Sequence, residues 1–308
     1  MPASKVQVHV APEGHRDWIR DAVEEAGAEI VDAAEAEALV YTHVDDPDGL
    51  AELLNANPRI AWVQLPWTGI EAYVEAGVLD ADRIWTSGKG LYSKPVAEHA
   101  LTLALAGLRG LKRFCLARSW EDQDGISLMG GRVTIFGGGG IAQELIKLLR
   151  PFKCAITVIR RHPAPMDGVN SVISFHERYQ ALKGADVVFL ALPLLSETRG
   201  LIGEVEFELM EPHAWLVNVA RGPHVLTEDL LIALREDAIG GAALDVTDPE
   251  PLPEGHPLWS LPNCLITPHT ANTQAMAIPR LRARIVENIH RYACGDDLIG
   301  RVQPELGY

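Results

Sequence analysis

The stretch RVTIFGGGGIAQELIKLL, residues 132–149, decides the predicted fold. Its first five residues form a β-rich run, four glycines follow, and the remainder has the spacing of an amphipathic helix. Gly137 permits a tight turn, and Gly139 lets backbone amides approach a pyrophosphate. A glycine run alone is often only a turn, but the flanking strand and helix favour a dinucleotide-binding loop.

The start of the predicted helix supplies the other requirements of such a loop. Ala142 is small enough for close packing of the helix on the strand. The first backbone N–H groups of a helix point along its axis and carry partial positive charge. We therefore expect Gly140 and Ile141 to bind the phosphates of a cofactor.

Strands and helices alternate on both sides of this unit, a pattern typical of parallel sheets. Before it, β-rich runs lie at residues 6–10, 29–31, 39–41, 60–63 and 84–86, with helices predicted at residues 16–25 and 50–54. From it onward, runs lie at residues 132–136, 155–159, 187–192, 215–218, 241–245 and 265–266. Two longer helices are predicted at residues 95–111 and 277–292.

These patterns predict an α/β protein with two Rossmann-like or flavodoxin-like domains, each a doubly wound parallel sheet. The length of 308 residues also favours two domains. Because the last predicted helix fits best as one that crosses back to the first domain, the expected division is a discontinuous domain, residues 1–95 and 279–308, and a dinucleotide-binding Rossmann domain, residues 96–278.

Charge and cysteine content restrict the partners. A formal net charge of −15 repels nucleic acid and anionic lipid, so neither is expected to bind. No apolar run approaches the length of a membrane span, and the amino terminus lacks the apolar region of a signal peptide. Four scattered cysteines form no metal or redox pair and are interpreted as buried thiols, so we expect a cytoplasmic protein without a metal site.

Basic residues end the second strand of the dinucleotide unit. NAD enzymes usually place an acid there, about twenty residues after the glycines, to bind the ribose 2′-hydroxyl. This chain has Arg160 and Arg161 instead. Two guanidinium groups suit a 2′-phosphate, which predicts preference for NADP(H) with NAD(H) possible. The alternative is a solvated pair of surface arginines.

Three polar residues follow three later strands of the same domain: Arg221, Glu250 and His269. The carboxyl ends of parallel strands share one edge of a sheet, where ligands bind. Arg221 could hold a carboxylate by two hydrogen bonds, His269 could exchange a proton with a carbonyl or hydroxyl oxygen, and Glu250 could orient and charge the imidazole. Taken singly, each residue could equally serve a turn, a loop or an ordinary polar contact.

In its motifs the chain resembles the D-isomer-specific 2-hydroxyacid dehydrogenase family over nearly its whole length. The motifs are VAEH at residues 96–99, the glycine loop, LPL at 192–194, ETRGLI at 197–202, NVARG at 218–222, LDV at 244–246, EP at 250–251 and TPH at 267–269.

The resemblance implies roles for particular residues of this chain. Arg221, Glu250 and His269 would be the catalytic set, and Asp245 would contact the nicotinamide carboxamide. The cofactor would also touch Leu192, Pro193 and Val219. The backbone amides of a substrate loop would hold the substrate carboxylate. In this chain that loop corresponds to Trp67, Thr68, Gly69 and Ile70.

The resemblance also implies a cleft between the two domains, with the discontinuous domain as the substrate domain. It further implies a homodimer formed mainly through the nucleotide domain, with residues 113–129 in the dimer-forming region. Departures from the usual motifs are Ala142 in place of a third glycine, Leu195 where many members carry threonine, and Arg160 in place of an acid. With the PWTG stretch at residues 66–69, the basic pair is similar to the glyoxylate and hydroxypyruvate reductase branch.

The expected activity is thus the NADP-preferring interconversion of a small 2-keto acid and its 2-hydroxy acid. A dinucleotide-sensing binding protein of the co-repressor kind is the alternative from another class, and a dehydrogenase of another anion is the alternative enzyme. Glu98 and His99 could form a second acid–base pair, but their position in the first turns of a helix favours capping or packing. Lys89 is interpreted as a surface lysine.

Overall fold

The computed structural model describes residues 5–12, 17–43 and 46–304. The chain divides into two compact units, Met1–Tyr92 with Thr273–Tyr308, and Ser93–Asn272. Each unit is built on a parallel sheet, of five and seven strands respectively. The predicted fold class, two parallel-sheet α/β domains, is confirmed.

The first unit contains the five-stranded sheet, with strand order β2-β1-β3-β4-β5. Two apolar clusters cover its faces: one includes residues of the first and last helices, and the other includes residues of the second and third. The strands are β1 Gln7–Ala11, β2 Glu29–Ile30, β3 Ala38–Tyr41, β4 Trp62–Gln64 and β5 Ile84–Thr86. The helices are α1 Asp17–Glu25, α2 Pro47–Ala56, α3 Glu71–Glu75 and α10 Gln274–Cys294.

The second unit contains the seven-stranded sheet, with strand order β12-β11-β10-β9-β6-β7-β8. Its central strands are buried along their length, as expected for a parallel sheet covered by helices on both faces. The strands are β6 Arg132–Phe136, β7 Ala155–Ile159, β8 Ser171–Ile173, β9 Val187–Leu190, β10 Trp215–Asn218, β11 Gly241–Leu244 and β12 Cys264–Ile266. The helices are α4 Ser93–Leu108, α5 Leu111–Leu116, α6 Gly140–Leu149, α7 Arg178–Leu182, α8 Glu204–Leu209 and α9 Thr227–Arg235.

Several sequence-based expectations differ from this structure. Strand β8 was not predicted, because its three residues carry no apolar run. The helix predicted at residues 95–111 ends at Leu108, since Gly110 adopts a left-handed conformation with φ of 59° and α5 begins after it. The helix predicted at residues 16–25 begins at Asp17 among the described residues, and Arg16 lies outside them.

The expectation of buried thiols is wrong for two of the four cysteines. Cys115 and Cys294 are exposed, Cys154 is half-buried and Cys264 is buried. Cys115 lies in the short helix α5, which buries none of its residues, and Cys294 is the last residue of α10. Hydrophobic character alone did not reveal that these helix positions face solvent.

Candidate active site

The glycine-rich loop follows β6, where the order of the seven-stranded sheet reverses between β9 and β7. Gly137 has φ of 105°, and a Cβ atom there would lie 2.1 Å from the Ala191 carbonyl oxygen, so only glycine fits. Gly139 precedes α6, and a Cβ atom there would meet no atom of the described residues within 4 Å. The space beside the first turn of α6 is therefore open, as a pyrophosphate site requires.

Arg160 and Arg161 end β7 but have different surroundings. The Arg160 side chain runs beside the glycine loop, since a Cβ atom on Gly138 would lie 3.2 Å from its Cδ atom. Arg161 forms an ion pair with Glu197, which lies in the loop after β9. Both partners of this pair are exposed, with 42% and 60% of their side-chain surfaces accessible. The pairing of Arg161 was not predicted from the sequence.

The loop after β9 is braced from within the unit. His224 is fully buried, and its Nδ1 and Nε2 atoms lie 2.9 Å and 3.3 Å from the carbonyl oxygens of Thr198 and Leu192. Pro193 is exposed in this loop, and Val219 is buried after β10. The structure thus fixes the shape of the loop, while its contact with a cofactor stays a prediction.

Arg221 is positioned by a buried asparagine at the end of β10. Asn218 is fully buried, and its side-chain amide donates to the Arg221 carbonyl oxygen at 2.9 Å. Its carbonyl Oδ1 accepts a hydrogen bond from the Ala220 backbone N–H at 3.0 Å. The Arg221 guanidinium itself donates to the Ala220 carbonyl oxygen at 2.7 Å. Asn218 therefore fixes the turn from which Arg221 projects.

Close backbone contact joins this turn to the segment that carries Glu250. A Cβ atom at Gly222 would lie 1.9 Å from the Thr247 carbonyl oxygen, so any side chain at Gly222 would force the two segments apart. The glycine after Arg221 thus permits the approach of the segments that follow β10 and β11.

The structure brings His269 and Glu250 into direct contact. His269 Nδ1 lies 2.7 Å from Glu250 Oε1, and 54% of the His269 side chain is exposed. The hydrogen bond to Glu250 raises the pKa of His269, against the opposing effects of burial and of Arg221. The same hydrogen bond lowers the pKa of Glu250. Because Nδ1 donates to the carboxylate, Nε2 is the atom that can exchange a proton with a substrate.

Asp245 organises the loop that carries His269. Its carboxylate is 2% exposed and accepts hydrogen bonds from Thr267 Oγ1 at 2.6 Å, from the Thr270 N–H at 2.9 Å and from the Ala271 N–H at 3.0 Å. Its backbone carbonyl accepts from the His269 N–H at 2.9 Å. Burial raises the pKa of Asp245, but the hydrogen bonds outweigh it and the net shift is downward.

His99 contacts the same group of residues, although its position in the first turns of a helix favours capping or packing. Its Nε2 atom lies 3.1 Å from Thr267 Oγ1 and 3.3 Å from Asp245 Oδ1. One signal could have indicated this contact: His99 is a polar residue in the helical stripe that contains the buried residues Val96 and Leu103. Helical spacing does not show which loop such a residue meets.

The expected substrate loop, residues 67–70, makes hydrogen bonds within the first unit. Thr68 Oγ1 donates to the Gly88 carbonyl oxygen at 3.1 Å, and the Gly88 N–H donates to the Trp67 carbonyl oxygen at 3.0 Å. The Tyr92 hydroxyl donates to the Pro66 carbonyl oxygen at 2.8 Å. Gly69 and Ile70 complete the loop before α3, and its role in substrate binding stays a prediction.

Two features of the described residues bear on other functions. Within residues 5–12, 17–43 and 46–304, no cluster of three or more His, Cys, Asp or Glu side chains could hold a metal ion. Over the same residues, no helix has both the length and the apolar character needed to cross a membrane.

The site and the fold together define a class: an NAD(P)-dependent oxidoreductase with a glycine loop at the switch point of a parallel sheet. Comparison with known proteins supports this class. The family profile described as D-isomer specific 2-hydroxyacid dehydrogenase, NAD binding domain, matches residues 100–271. The chain belongs to the D-isomer specific 2-hydroxyacid dehydrogenase family, and it is an NAD(P)-dependent enzyme of that family.

Individual relatives agree with the branch that the sequence predicts. Glyoxylate/hydroxypyruvate reductase A of Photorhabdus laumondii is 33% identical over 273 residues, covering 83% of this chain and 84% of that protein. An uncharacterized protein from the proB 3′ region of Corynebacterium melassecola is 36% identical over 256 residues, covering 81% of this chain and 84% of that protein. A crystal structure of a D-isomer specific 2-hydroxyacid dehydrogenase from Xanthobacter autotrophicus Py2, in complex with NADPH and MES, superposes with a TM-score of 0.86. It is 28% identical in sequence and covers 99% of this chain and 100% of that chain.

Proposed function

We propose that this enzyme is an NADP-preferring reductase of small 2-keto acids of the glyoxylate or hydroxypyruvate type, acting reversibly on the corresponding 2-hydroxy acids. The observation that carries the proposal is the 2.7 Å contact between His269 Nδ1 and Glu250 Oε1, at the carboxyl ends of neighbouring strands. A charged, oriented and accessible imidazole is what proton transfer to a carbonyl oxygen requires.

His269 acts as the acid in reduction. The Glu250 carboxylate keeps the imidazole protonated and turns Nε2 outward, so that Nε2 donates its proton to the substrate oxygen as charge develops there. In the reverse direction the neutral imidazole accepts the hydroxyl proton. Glu250 stays ionised throughout, because the hydrogen bond from His269 lowers its pKa.

Arg221 binds the substrate carboxylate. A guanidinium forms two parallel hydrogen bonds with a carboxylate, which fixes the orientation of the neighbouring carbonyl group. Asn218 holds the backbone of the turn, and the hydrogen bond from the guanidinium to the Ala220 carbonyl oxygen orients the side chain before the substrate arrives. The preorganised turn reduces the conformational freedom that substrate binding would otherwise remove.

The unit Ser93–Asn272 binds the dinucleotide in this proposal, and the unit with residues 67–70 selects the substrate. Gly137, Gly139 and the first turn of α6 hold the pyrophosphate, since the glycine conformations and the open space beside α6 fit that group. When bound, the reduced nicotinamide supplies the hydride that the keto carbon receives. Leu192, Pro193 and Val219 line the cofactor.

Asp245 contributes at most one acceptor position to the nicotinamide carboxamide. Its Oδ1 atom already accepts from Thr267 and Thr270, whereas Ala271 is the only donor to Oδ2 among the residues that the structure describes. A carboxylate oxygen has about two acceptor positions. The remaining position is therefore on Oδ2.

Arg160 and Arg161 favour NADP(H) by offering positive charge to the 2′-phosphate. No acid stands in the place where NAD enzymes bind the ribose hydroxyl. The Arg160 side chain lies beside Gly138 and is thus the nearer of the two to the pyrophosphate loop.

A homodimer accompanies this activity in the proposal. The segment of residues 113–129 exposes Leu116, Trp120 and Met129, and the Trp120 side chain is almost wholly accessible. Large apolar side chains exposed together are typical of protein interfaces. Light scattering should give twice the mass of one chain, and Trp120→Asp should shift the protein toward the monomer. A monomeric wild-type protein at micromolar concentration would contradict this part of the proposal.

A panel of glyoxylate, hydroxypyruvate, pyruvate and bulkier 2-keto acids, each with NADPH and with NADH, tests the proposed function. We expect steady turnover of glyoxylate and of hydroxypyruvate with NADPH. A protein that binds NADPH but turns over none of the panel would fit the dinucleotide-sensing alternative instead.

A further inference from the structure

His99 lies in α4 and reaches the base of the loop that carries His269. The Thr267 hydroxyl has one proton, which it can donate to Asp245 Oδ1 at a distance of 2.6 Å between the two oxygen atoms. Thr267 Oγ1 then acts as an acceptor toward His99 Nε2 at 3.1 Å. A His99 ring with its proton on Nε2 can therefore donate to Thr267 Oγ1, and the same Nε2 atom lies 3.3 Å from Asp245 Oδ1.

The loop supported in this way has a costly backbone conformation. His269 has φ of 48°, in the left-handed region that non-glycine residues rarely adopt. Such a conformation persists only where surrounding contacts determine it. The contacts here are the hydrogen bonds that Asp245 accepts from residues 267–271, and His99 is the side chain of α4 that joins this group.

We propose that His99 is a positioning residue that, through Asp245 and Thr267, holds residues 267–271 in the conformation that presents the His269 imidazole to Glu250. This inference rests on the proposed role of His269 as the acid–base group. His99 itself contacts neither substrate nor reacting atoms in this account. It acts by keeping Asp245 and Thr267 in the arrangement that the strained loop requires.

A packing role for His99 predicts a different outcome from a positioning role. If the ring only fills space beside the sheet, phenylalanine should replace it well and glutamine poorly. If its N–H group matters, His99→Gln should retain function because its amide N–H can donate, whereas His99→Phe should lose it. His176→Phe is the matched control, since His176 is an exposed histidine of the same unit outside the proposed site.

The first measurement is an NMR titration of the protein without ligands, which gives the pKa of the His269 imidazole. The His269 signal is identified as the one that is absent from the spectrum of His269→Ala. The charged groups that act on this imidazole are Glu250, Asp245 and Arg221. We expect the His269 pKa to fall toward its ordinary value in His99→Phe, because the loop no longer holds the ring against Glu250. The pKa should stay at its wild-type value in His99→Gln and His176→Phe.

The second measurement separates kcat from KM for keto-acid reduction with NADPH. We expect kcat to fall about tenfold in His99→Phe, since even a 1 Å misplacement of a reacting group can cost about 10² in rate. KM should change by less than about threefold, because Arg221 and its turn are untouched, and His99→Gln should recover most of kcat.

Thermal unfolding identifies any variant that fails to fold. If His99→Phe does not fold, His99→Leu decides the question, since it also removes the N–H group that donates to Thr267 and leaves the Thr267 hydroxyl on Asp245 in place. A wild-type His269 pKa and kcat in the folded variant would overturn the proposal. The NMR titration needs no turnover, so an enzyme inactive on every keto acid would refute the proposed function while the positioning claim is still tested.

Discussion

The two halves of the carboxyl edge of the seven-stranded sheet are built in different ways. At β10, β11 and β12, the hydrogen bonds that the buried side chains of Asn218 and Asp245 make with backbone groups fix the segments that carry Arg221 and His269. At β6 and β7, the glycine loop borders open space, and the ion pair of Arg161 is exposed. The first half is fixed by the chain itself, whereas the second presents charge and space to a ligand.

This difference indicates how each half should respond to change. Buried networks lose much when one member is removed, because the remaining polar groups stay desolvated. Exposed ion pairs contribute little to stability and are screened by salt. We therefore expect substitutions at β10–β12 to affect chemistry strongly, and those at β7 to alter cofactor choice with little effect on folding.

The largest effect is expected from His269→Ala. Loss of a positioned acid should lower kcat for keto-acid reduction by about 10²–10⁴, while NADPH binding stays within about twofold of wild type. Single-turnover rates and fluorescence titration with NADPH measure the two quantities. An unchanged chemical rate would remove His269 from the mechanism.

Two glycine substitutions, one at each half of the carboxyl edge of the sheet, test this difference directly. Gly222→Ala places a Cβ atom 1.9 Å from the Thr247 carbonyl oxygen, so it should lower the melting temperature and reduce kcat/KM by roughly tenfold or more. Gly139→Ala meets open space, so its melting temperature should stay near wild type while dinucleotide binding weakens. Equal stability of the two variants would contradict the contrast.

Cofactor choice should change in the double variant Arg160→Asp with Arg161→Ala. The ratio of kcat/KM with NADPH to kcat/KM with NADH should fall by about tenfold or more. One charge-assisted hydrogen bond contributes about 1.5–3 kcal/mol to binding, and about 1.4 kcal/mol corresponds to a tenfold change. Calorimetry with 2′,5′-ADP and 5′-AMP gives the same comparison without turnover. If wild type itself uses both cofactors equally, the two arginines are only surface charges.

The smallest effect concerns Glu197. Glu197→Gln frees Arg161 from its ion pair, so binding of 2′,5′-ADP should tighten by about threefold at low salt, and the gain should shrink as ionic strength rises. Binding of 5′-AMP, which lacks the 2′-phosphate, is the internal control. A gain that is equal for both nucleotides would show that Glu197 does not compete for the 2′-phosphate.

Much of this arrangement could be predicted from local sequence. Each of β6, the glycine run and α6 is specified by its own residues, and the shared edge of parallel strands predicts that Arg221, Glu250 and His269 lie near one another. The 2.7 Å contact between His269 and Glu250 agrees with the pairing expected from their chemistry.

The parts that escaped prediction depend on contacts between distant segments. The contact of His99 with Thr267 and Asp245 depends on the packing of α4 beside β11 and β12, whereas periodicity reports only which face of a helix is buried. The pairing of Arg161 with Glu197 joins two loops 36 residues apart. Strand β8 has too few apolar residues to be recognised without its neighbour β7.

The most direct test of the central claim, that Glu250 holds His269 as the protonated acid, is the pH dependence of single-turnover rates in both directions. Because the pKa of His269 is raised, reduction should be fully active at low pH and decline only as pH rises through a value above the ordinary histidine pKa of about 6.5. Oxidation should increase over the same interval. In Glu250→Gln, which keeps a hydrogen-bond acceptor but not the charge, both midpoints should move to lower pH. Midpoints that are unchanged in Glu250→Gln, or a reduction rate that does not depend on pH, would contradict the account.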